Sequence, residues 1–215
     1  MSFQNRAEAA QRLAQALGHY RGKHPLVLAI PRGAVPMGGI IADALAGDLD
    51  VVLIRKLGAP GNEEFAVGAV DESGWTYIVD HAAARADPAY LETEKTAQMA
   101  VLRRRRAEYT PVRPPLDPAG RLVIVVDDGL ATGATMLAAL HAVRVKSPAK
   151  LVVAIPVAPA DTLKKVEALA DEVVCLLVPA HFTAVGQFYR EFPAVSDAQV
   201  VAELRAYSKS HPQLT

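Results

Sequence analysis

Residues 125–135 read VVDDGLATGAT. The apolar run Leu122 to Val126 ends in two adjacent carboxylates, Asp127 and Asp128, and an apolar helical pattern begins a few residues later. Between them, Gly129, Ala131, Gly133 and Ala134 leave the backbone uncovered, so main-chain N–H groups can approach an anion closely. Thr132 and Thr135 add hydroxyl donors. The helix start that follows offers unsatisfied N–H groups and the positive end of its dipole. A strand, an acid pair and a small-residue loop at a helix start together describe a phosphate cradle at a strand's carboxyl end. The cradle is not of the Walker type, because G-x-x-x-x-G-K-[ST] is absent, and G-x-G-x-x-G is absent too. The acids themselves would repel a phosphate. They suit sugar hydroxyls, which donate to carboxylates, or a hydrated Mg²⁺. A sugar diol next to a phosphate is the pattern of a ribose 5-phosphate. The simpler alternative is that Asp127 and Asp128 cap the helix, although one acid would be enough for that.

The rest of the chain repeats the alternation of strand and helix. Helical periodicity covers 4–18, with Ala7, Ala10, Leu13, Ala14 and Leu17 on one face. A short apolar strand, Leu26 to Ile30, stops at Pro31-Arg32-Gly33, and a helix over about 35–46 follows. Val51 to Ile54 reads as the next strand, ending at Arg55-Lys56. Residues 57–75 hold five glycines and prolines among mixed charges and read as a long flexible loop or hairpin. Thr76 to Val79 reads as a strand and 88–109 as a long polar helix carrying Arg103 to Arg106. After the Pro-rich VRPPLDPAG come strand 122–127, helix 133–146, strand 151–155, helix 160–170, strand 173–178 and a last helix over about 197–208. Strands that are apolar throughout and alternate with helices imply a parallel sheet covered on both faces. Such sheets bind ligands beyond the carboxyl ends of their strands. Three expected strand ends carry unusual chemistry: Pro31-Arg32-Gly33, Arg55-Lys56 and Asp127-Asp128.

The 215 residues fit one α/β domain, and half of them are hydrophobic, enough for a sizeable core. Lys plus Arg and Asp plus Glu balance at 23 each, so there is no global pull toward nucleic acid or an anionic membrane. The single cysteine, Cys175, sits among Val173, Val174, Leu176 and Leu177 and reads as a buried, inert thiol in a reducing compartment. The N-terminal stretch is amphipathic and carries Glu8, without a signal-peptide core, and no stretch reaches the ~20 apolar residues that span a bilayer. The expectation is a soluble, cytoplasmic protein. His19, His24, His81 and His141 show no metal-ligand spacing.

The stretch VIVVDDGLATGATM is very similar to the phosphoribosyl pyrophosphate (PRPP) signature of type I phosphoribosyltransferases, and its ATG variant looks most like that of adenine phosphoribosyltransferases. The resemblance extends more weakly over about 24–180. There IPRGAVP stands where the family has its pyrophosphate loop, and VVLIRKLGAPGNEE where an Arg-Lys strand end leads into a mobile catalytic loop. As a whole the chain resembles the group of predicted phosphoribosyltransferases of unassigned substrate. The resemblance implies an α/β fold of the type I phosphoribosyltransferase kind, with an open, mainly parallel twisted sheet, helices on both faces, a flexible catalytic loop at about 57–75 and a small hood built from the N-terminal and 180–195 segments. It implies a single domain over 1–215 and transfer of the ribose 5-phosphate group of PRPP to a nitrogen acceptor, a nucleobase-like heterocycle, with release of pyrophosphate and with Mg²⁺ as cofactor. Asp127 and Asp128 would hold the ribose hydroxyls and, through water, the metal. Ala131, Thr132, Gly133, Ala134 and Thr135 would bind the 5-phosphate. Arg32, Gly33, Arg55 and Lys56 would bind the pyrophosphate. Phe188 and Tyr189 would stand in the acceptor hood. In several relatives the residue before T-G-x-T is acidic, but here it is Ala131, and Glu63 or Glu64 in the catalytic loop becomes the expected proton acceptor. The implied partners are PRPP and a small-molecule acceptor, with no nucleic acid, no membrane, and a second copy in a homodimer.

Blander alternatives stand beside these. Arg32, Arg55 and Lys56 also suit an ordinary charged surface. Arg103 to Arg106 suits a solvated helix face or an arginine lent to a neighbouring subunit. The aromatic residues His181, Phe182, Phe188 and Tyr189 also suit plain core packing. The rival functions are a non-catalytic PRPP-binding regulatory protein, a PRPP synthase-like enzyme and a hydrolase releasing ribose 5-phosphate.

Overall fold

The computed structural model describes residues 2–78 and 87–211, and of residues 62–66 the backbone alone. A five-stranded parallel sheet forms the centre, in the order β2-β1-β6-β7-β8. Its strands are β1 (Leu26–Ala29), β2 (Asp48–Val51), β6 (Leu122–Val126), β7 (Lys150–Val157) and β8 (Glu172–Leu177). The helices are α1 (Arg6–Ala16), α2 (Val35–Leu45), α3 (Pro88–Tyr109), α4 (Ala134–Arg144), α5 (Ala160–Glu167) and α6 (Asp197–Ser210). Both faces of the sheet are buried. Val27, Ala29, Ile124, Val126, Val152 and Ala154 join the core that holds Leu13 of α1 and Ile41 of α2. The alternate residues Leu26, Leu28, Val123, Val125, Leu151 and Val153 join the core that holds Met136 and Leu140 of α4. A strand side chain points to one face or the other at every step, so covering both faces requires uninterrupted apolar runs.

The segment expected to be a flexible loop is ordered differently. β3 (Ile54–Ala59), β4 (Asn62–Asp71) and β5 (Thr76–Ile78) make a separate antiparallel sheet in the order β3-β4-β5. Of the two expectations for 57–75, the hairpin is the one that holds. This sheet packs against α3 and α4. Arg55 and Lys56 therefore do not end a strand of the parallel sheet. The apolar run 51–54 turns a corner at Val52 and Leu53, and both basic residues lie within β3, paired with Val70 and Ala69.

Helix ends divide into two kinds. Asn5, Asp87 and Ser196 cap α1, α3 and α6 through side-chain oxygens, accepting from the backbone N–H of Glu8, Ala89 and Gln199. Ser196 and Gln199 close a reciprocal capping box. Among the described residues, α2 and α4 have no such side-chain cap. Their first N–H groups are left to face whatever lies at the carboxyl ends of β1 and β6. Register places those ends side by side, because Ala29 pairs with Val126 and the Ile30 N–H donates to the Val126 carbonyl at 3.0 Å.

Candidate active site

The β1 and β6 ends bring Pro31-Arg32-Gly33 against the acid pair. The Pro31–Arg32 peptide is cis. Gly33 lies so close to Asp128 that a Cβ there would overlap Oδ2, lie 2.9 Å from Cγ and lie 3.2 Å from Arg6 Nε. The two acids face different surroundings. Asp127 lines a cavity of about 280 Å³ together with Lys56, Gly129, Ala131, Thr132, Gly133, Ala134, Thr135 and Val185. Asp128 turns toward Gly33 and takes an ion pair from Arg6, Nη2 to Oδ2 at 2.8 Å, with Nε donating to the same oxygen at 2.9 Å. Burial pushes the Asp127 carboxyl well above the usual carboxylate range, and the neighbouring Asp128 charge adds to this. Burial raises Asp128 as well, against the opposing pull of Arg6. Two part-buried acids side by side call for positive charge or hydroxyl donors from a ligand.

The loop 129–135 runs from the end of β6 into the start of α4. Gly133 precedes α4 with φ 78°, in the left-handed region that favours glycine. Thr132 contributes its Oγ1 only at 3.5 Å from the Ala134 N–H, so the helix start remains weakly satisfied from within. Lys56 faces this cavity, whereas its neighbour Arg55 turns the other way on the strand and donates from Nε to Gln98 of α3 at 2.7 Å. Arg55 and Lys56, expected together at the pyrophosphate, thus lie in two different surroundings. Arg55 lies near Arg32 and Arg105, and burial followed by those two charges lowers its pKa. Asp197 sits among these cations, 3.4 Å from Arg32 Nη1, 3.0 Å from Arg105 Nε and 2.6 Å from the Tyr109 hydroxyl that donates to it.

The sequence reading of the arginine run holds for half of it: Arg103 and Arg104 are exposed, whereas Arg105 is 5% exposed and Arg106 pairs with Glu72. Phe188 and Tyr189 also differ from expectation. Both rings are buried, Phe188 against Phe182, and Tyr189 between Phe3 and Phe192, so neither offers a free face to a planar base. The Tyr189 hydroxyl instead donates to the Asp128 carbonyl at 2.7 Å. The two segments expected to form the hood do come together. Arg190 and Glu191 donate backbone hydrogen bonds to Phe3 and Gln4, and Arg6 lies over the Phe192 ring at 3.7 Å while donating to the Pro193 carbonyl. Glu63 and Glu64 fall on β4, and their side chains lie outside the described part of the structure. His81 lies outside it altogether. Cys175 is half-buried with its thiol pushed up by burial, in keeping with an inert role.

No local pattern singled out Arg6, Asp197 or Thr162, and Arg105 stood out only as one of a run of four arginines. Thr162, in the first turn of α5, donates from Oγ1 to the Ala131 carbonyl at 2.7 Å. Larger cavities exist, such as one of about 550 Å³ between α3 and the segment after it. That cavity is lined mainly by Met99, Leu102, Ala107 and arginine stems, whereas the smaller one gathers an acid, an ammonium, hydroxyls and open helix N–H groups. Among the described residues, no group of three or more His, Cys, Asp or Glu could form a full metal cage. No helix among them is long and apolar enough to cross a membrane.

Asp127, Asp128 and the small-residue loop before α4 thus share the carboxyl end of β6, with Gly33 from beyond the neighbouring β1 end against Asp128. The phosphoribosyl transferase domain model matches residues 2–192. A Mycobacterium tuberculosis protein that carries a phosphoribosyl transferase name, in two strains, is 41% identical over 204 residues, which is 94% of this chain and 46% of that protein. The chain spans about half the length of the curated relatives it matches. The crystal structure of TT1426 from Thermus thermophilus superposes with a TM-score of 0.80 at 46% identity, covering 96% of this chain and 99% of the other. The chain belongs to the phosphoribosyl transferase domain family.

Proposed function

We propose that the chain transfers the ribose 5-phosphate group of PRPP to a nitrogen acceptor, a nucleobase-like heterocycle, and releases pyrophosphate. The observation that carries this reading is the single cavity shared by Asp127, Lys56 and the 129–135 loop, beside the Asp128–Gly33 contact. The N–H groups of 132–135 and the Lys56 ammonium bind the 5-phosphate. Asp127 and Asp128 accept hydrogen bonds from the ribose hydroxyls, which sets the anomeric carbon toward the β1 end. The Arg32 and Arg55 guanidiniums, with Arg105 behind them, hold the pyrophosphate as it departs with the bonding electrons.

The acid pair also fits Mg²⁺. The ion keeps several waters and takes one or two carboxylates plus substrate phosphates rather than a full protein cage, which matches two acids without a third ligand. When bound, it would supply positive charge for the leaving pyrophosphate. The family resemblance further supports a cytoplasmic homodimer.

Calorimetry with PRPP and Mg²⁺, a thermal-shift screen of purines and pyrimidines with and without PRPP, and a pyrophosphate-release assay with each base that binds test the reading. Binding of PRPP, and pyrophosphate release with at least one base, is expected. PRPP binding without release by any acceptor would return the chain to a regulatory role, and no PRPP binding would remove both.

A further inference from the structure

Thr162 belongs to α5, a different crossover from the cradle it touches. It is 7% exposed. A threonine in the first turn of a helix commonly turns its hydroxyl to its own helix end. This one reaches across 31 residues to the Ala131 carbonyl. Its methyl carbon faces Gly133, where a Cβ would stand 2.7 Å from Cγ2. One side chain thus touches the loop at two points, on either side of Thr132.

The hydroxyl contact has a directional consequence. In a trans peptide the C=O and the following N–H point in opposite directions across one rigid plane. Fixing the Ala131 carbonyl toward α5 fixes the Thr132 N–H away from α5, on the side of the cavity that Thr132 lines. A flipped peptide would present a carbonyl oxygen to the anion instead, replacing a donor by a repelling acceptor. We propose that Thr162 is a positioning residue of the cradle. Its hydroxyl orients the 131–132 peptide so that the Thr132 N–H serves the 5-phosphate, and its methyl reserves position 133 for glycine. The proposal rests on the reading of residues 131–135 as the 5-phosphate site.

Calorimetry with ribose 5-phosphate, and separately with pyrophosphate and Mg²⁺, on the full chain tests it. Thr162→Val keeps the shape and removes the hydroxyl. It should weaken ribose 5-phosphate binding about tenfold, the scale of one oriented hydrogen bond, and leave pyrophosphate unchanged. Thr162→Ser restores the hydroxyl and should bind ribose 5-phosphate within about twofold of the original chain. Equal ribose 5-phosphate affinity in Thr162→Val, or equal loss of both ligands, would overturn the positioning role. If Thr162→Val does not fold, the comparison of Gly133→Ala in two backgrounds still decides. Gly133→Ala should cost less affinity in the Thr162→Ser background, where the methyl is gone, than in the original chain, and an equal cost overturns the proposal. An original chain that binds pyrophosphate but no ribose 5-phosphate overturns the cradle reading itself, a result distinct from all of these.

Discussion

Arg6 grips one oxygen of Asp128 with two nitrogens, at 2.9 Å and 2.8 Å, across 122 residues of sequence. Both side chains are largely buried, at 13% and 17% exposure. Removing one partner of such a pair leaves the other uncompensated, which costs about 3 kcal/mol. Arg6→Ala should lower Tm by about 6–12 °C for a chain of this size. Arg6→Lys should recover only part of this, because an ammonium cannot present the same two-nitrogen fork. Differential scanning calorimetry reads both, and an unchanged Tm in Arg6→Ala would show that the pair carries no stability.

Gly33 is the next test. An added methyl at this position must displace the Asp128 carboxylate, which it would overlap. Gly33→Ala should weaken PRPP binding at least about tenfold, the loss expected when one charge-assisted hydrogen bond is misaimed. The displaced carboxylate is the end of a side chain, so the fold should persist. Calorimetry with PRPP and Mg²⁺ checks the affinity, and circular dichroism checks the fold.

Asp127 presents a trade between stability and binding. Burial raises its pKa in the folded chain, so folding favours the protonated form. Its contribution is most favourable below the ordinary carboxylate value of 3.8 and declines as pH rises toward the raised folded value. At neutral pH the charged side chain therefore opposes folding. Asp127→Asn should raise Tm while weakening PRPP binding by about 10–100-fold, equivalent to ~1.5–3 kcal/mol for one charged acceptor. A lower Tm together with unchanged PRPP affinity would contradict both halves.

Lys56 and Arg55 should separate in function as they do in space. Lys56→Ala should weaken ribose 5-phosphate binding by about tenfold, the scale of one charge-assisted contact. Arg55→Ala should leave ribose 5-phosphate nearly unaffected and weaken pyrophosphate instead. Titrations of each variant with each ligand give four affinities. The same pattern for both variants would mean that the two residues act together after all.

Asp197 predicts a pH dependence. Burial pushes its carboxyl up, but the Tyr109 hydroxyl and the Arg105 and Arg32 charges outweigh burial and hold it below the usual range. The folded pKa is thus depressed. The resulting stability is present above the unfolded value of about 3.8 and is lost as pH falls through the folded pKa. Thermal unfolding between pH 2 and 6 should show a gentler acid decline in Asp197→Asn than in the original chain. Identical acid slopes would remove Asp197 from the account.

How far the sequence carried the reading depends on distance along the chain. The motif at 125–135 needs only neighbours, so strand β6 and the start of α4 were both legible, and helix 88–109 was bounded to the residue. The hairpin sheet was harder. The run 51–54 is apolar throughout, and nothing local marks the corner at Val52 and Leu53 where the chain leaves one sheet for another. Arg105 stands in a run of four arginines, and its partner Asp197 comes from α6, far along the chain. Phe188 and Tyr189 were ambiguous because an aromatic ring that stacks on a ligand and one that stacks on Phe182 or Phe192 have the same local sequence. Arg6 and Thr162 look ordinary where they stand. Their roles exist only through contacts 122 and 31 residues away.

The span between Arg6 and Asp128 also sets a timetable for synthesis. A ribosome adds about 5–20 residues per second, so roughly 6–24 s separate the appearance of the guanidinium from that of its carboxylate. Phe3 waits longer still, because its backbone partners are Phe188 and Arg190. During that interval α1 rests mainly on α2, and Leu13 and Ile41 belong to the same buried cluster. The first helix to leave the ribosome is therefore among the last to be locked in place, and a translational pause after residue 128 would fall when Arg6 has its acid but Phe3 does not yet have its strand.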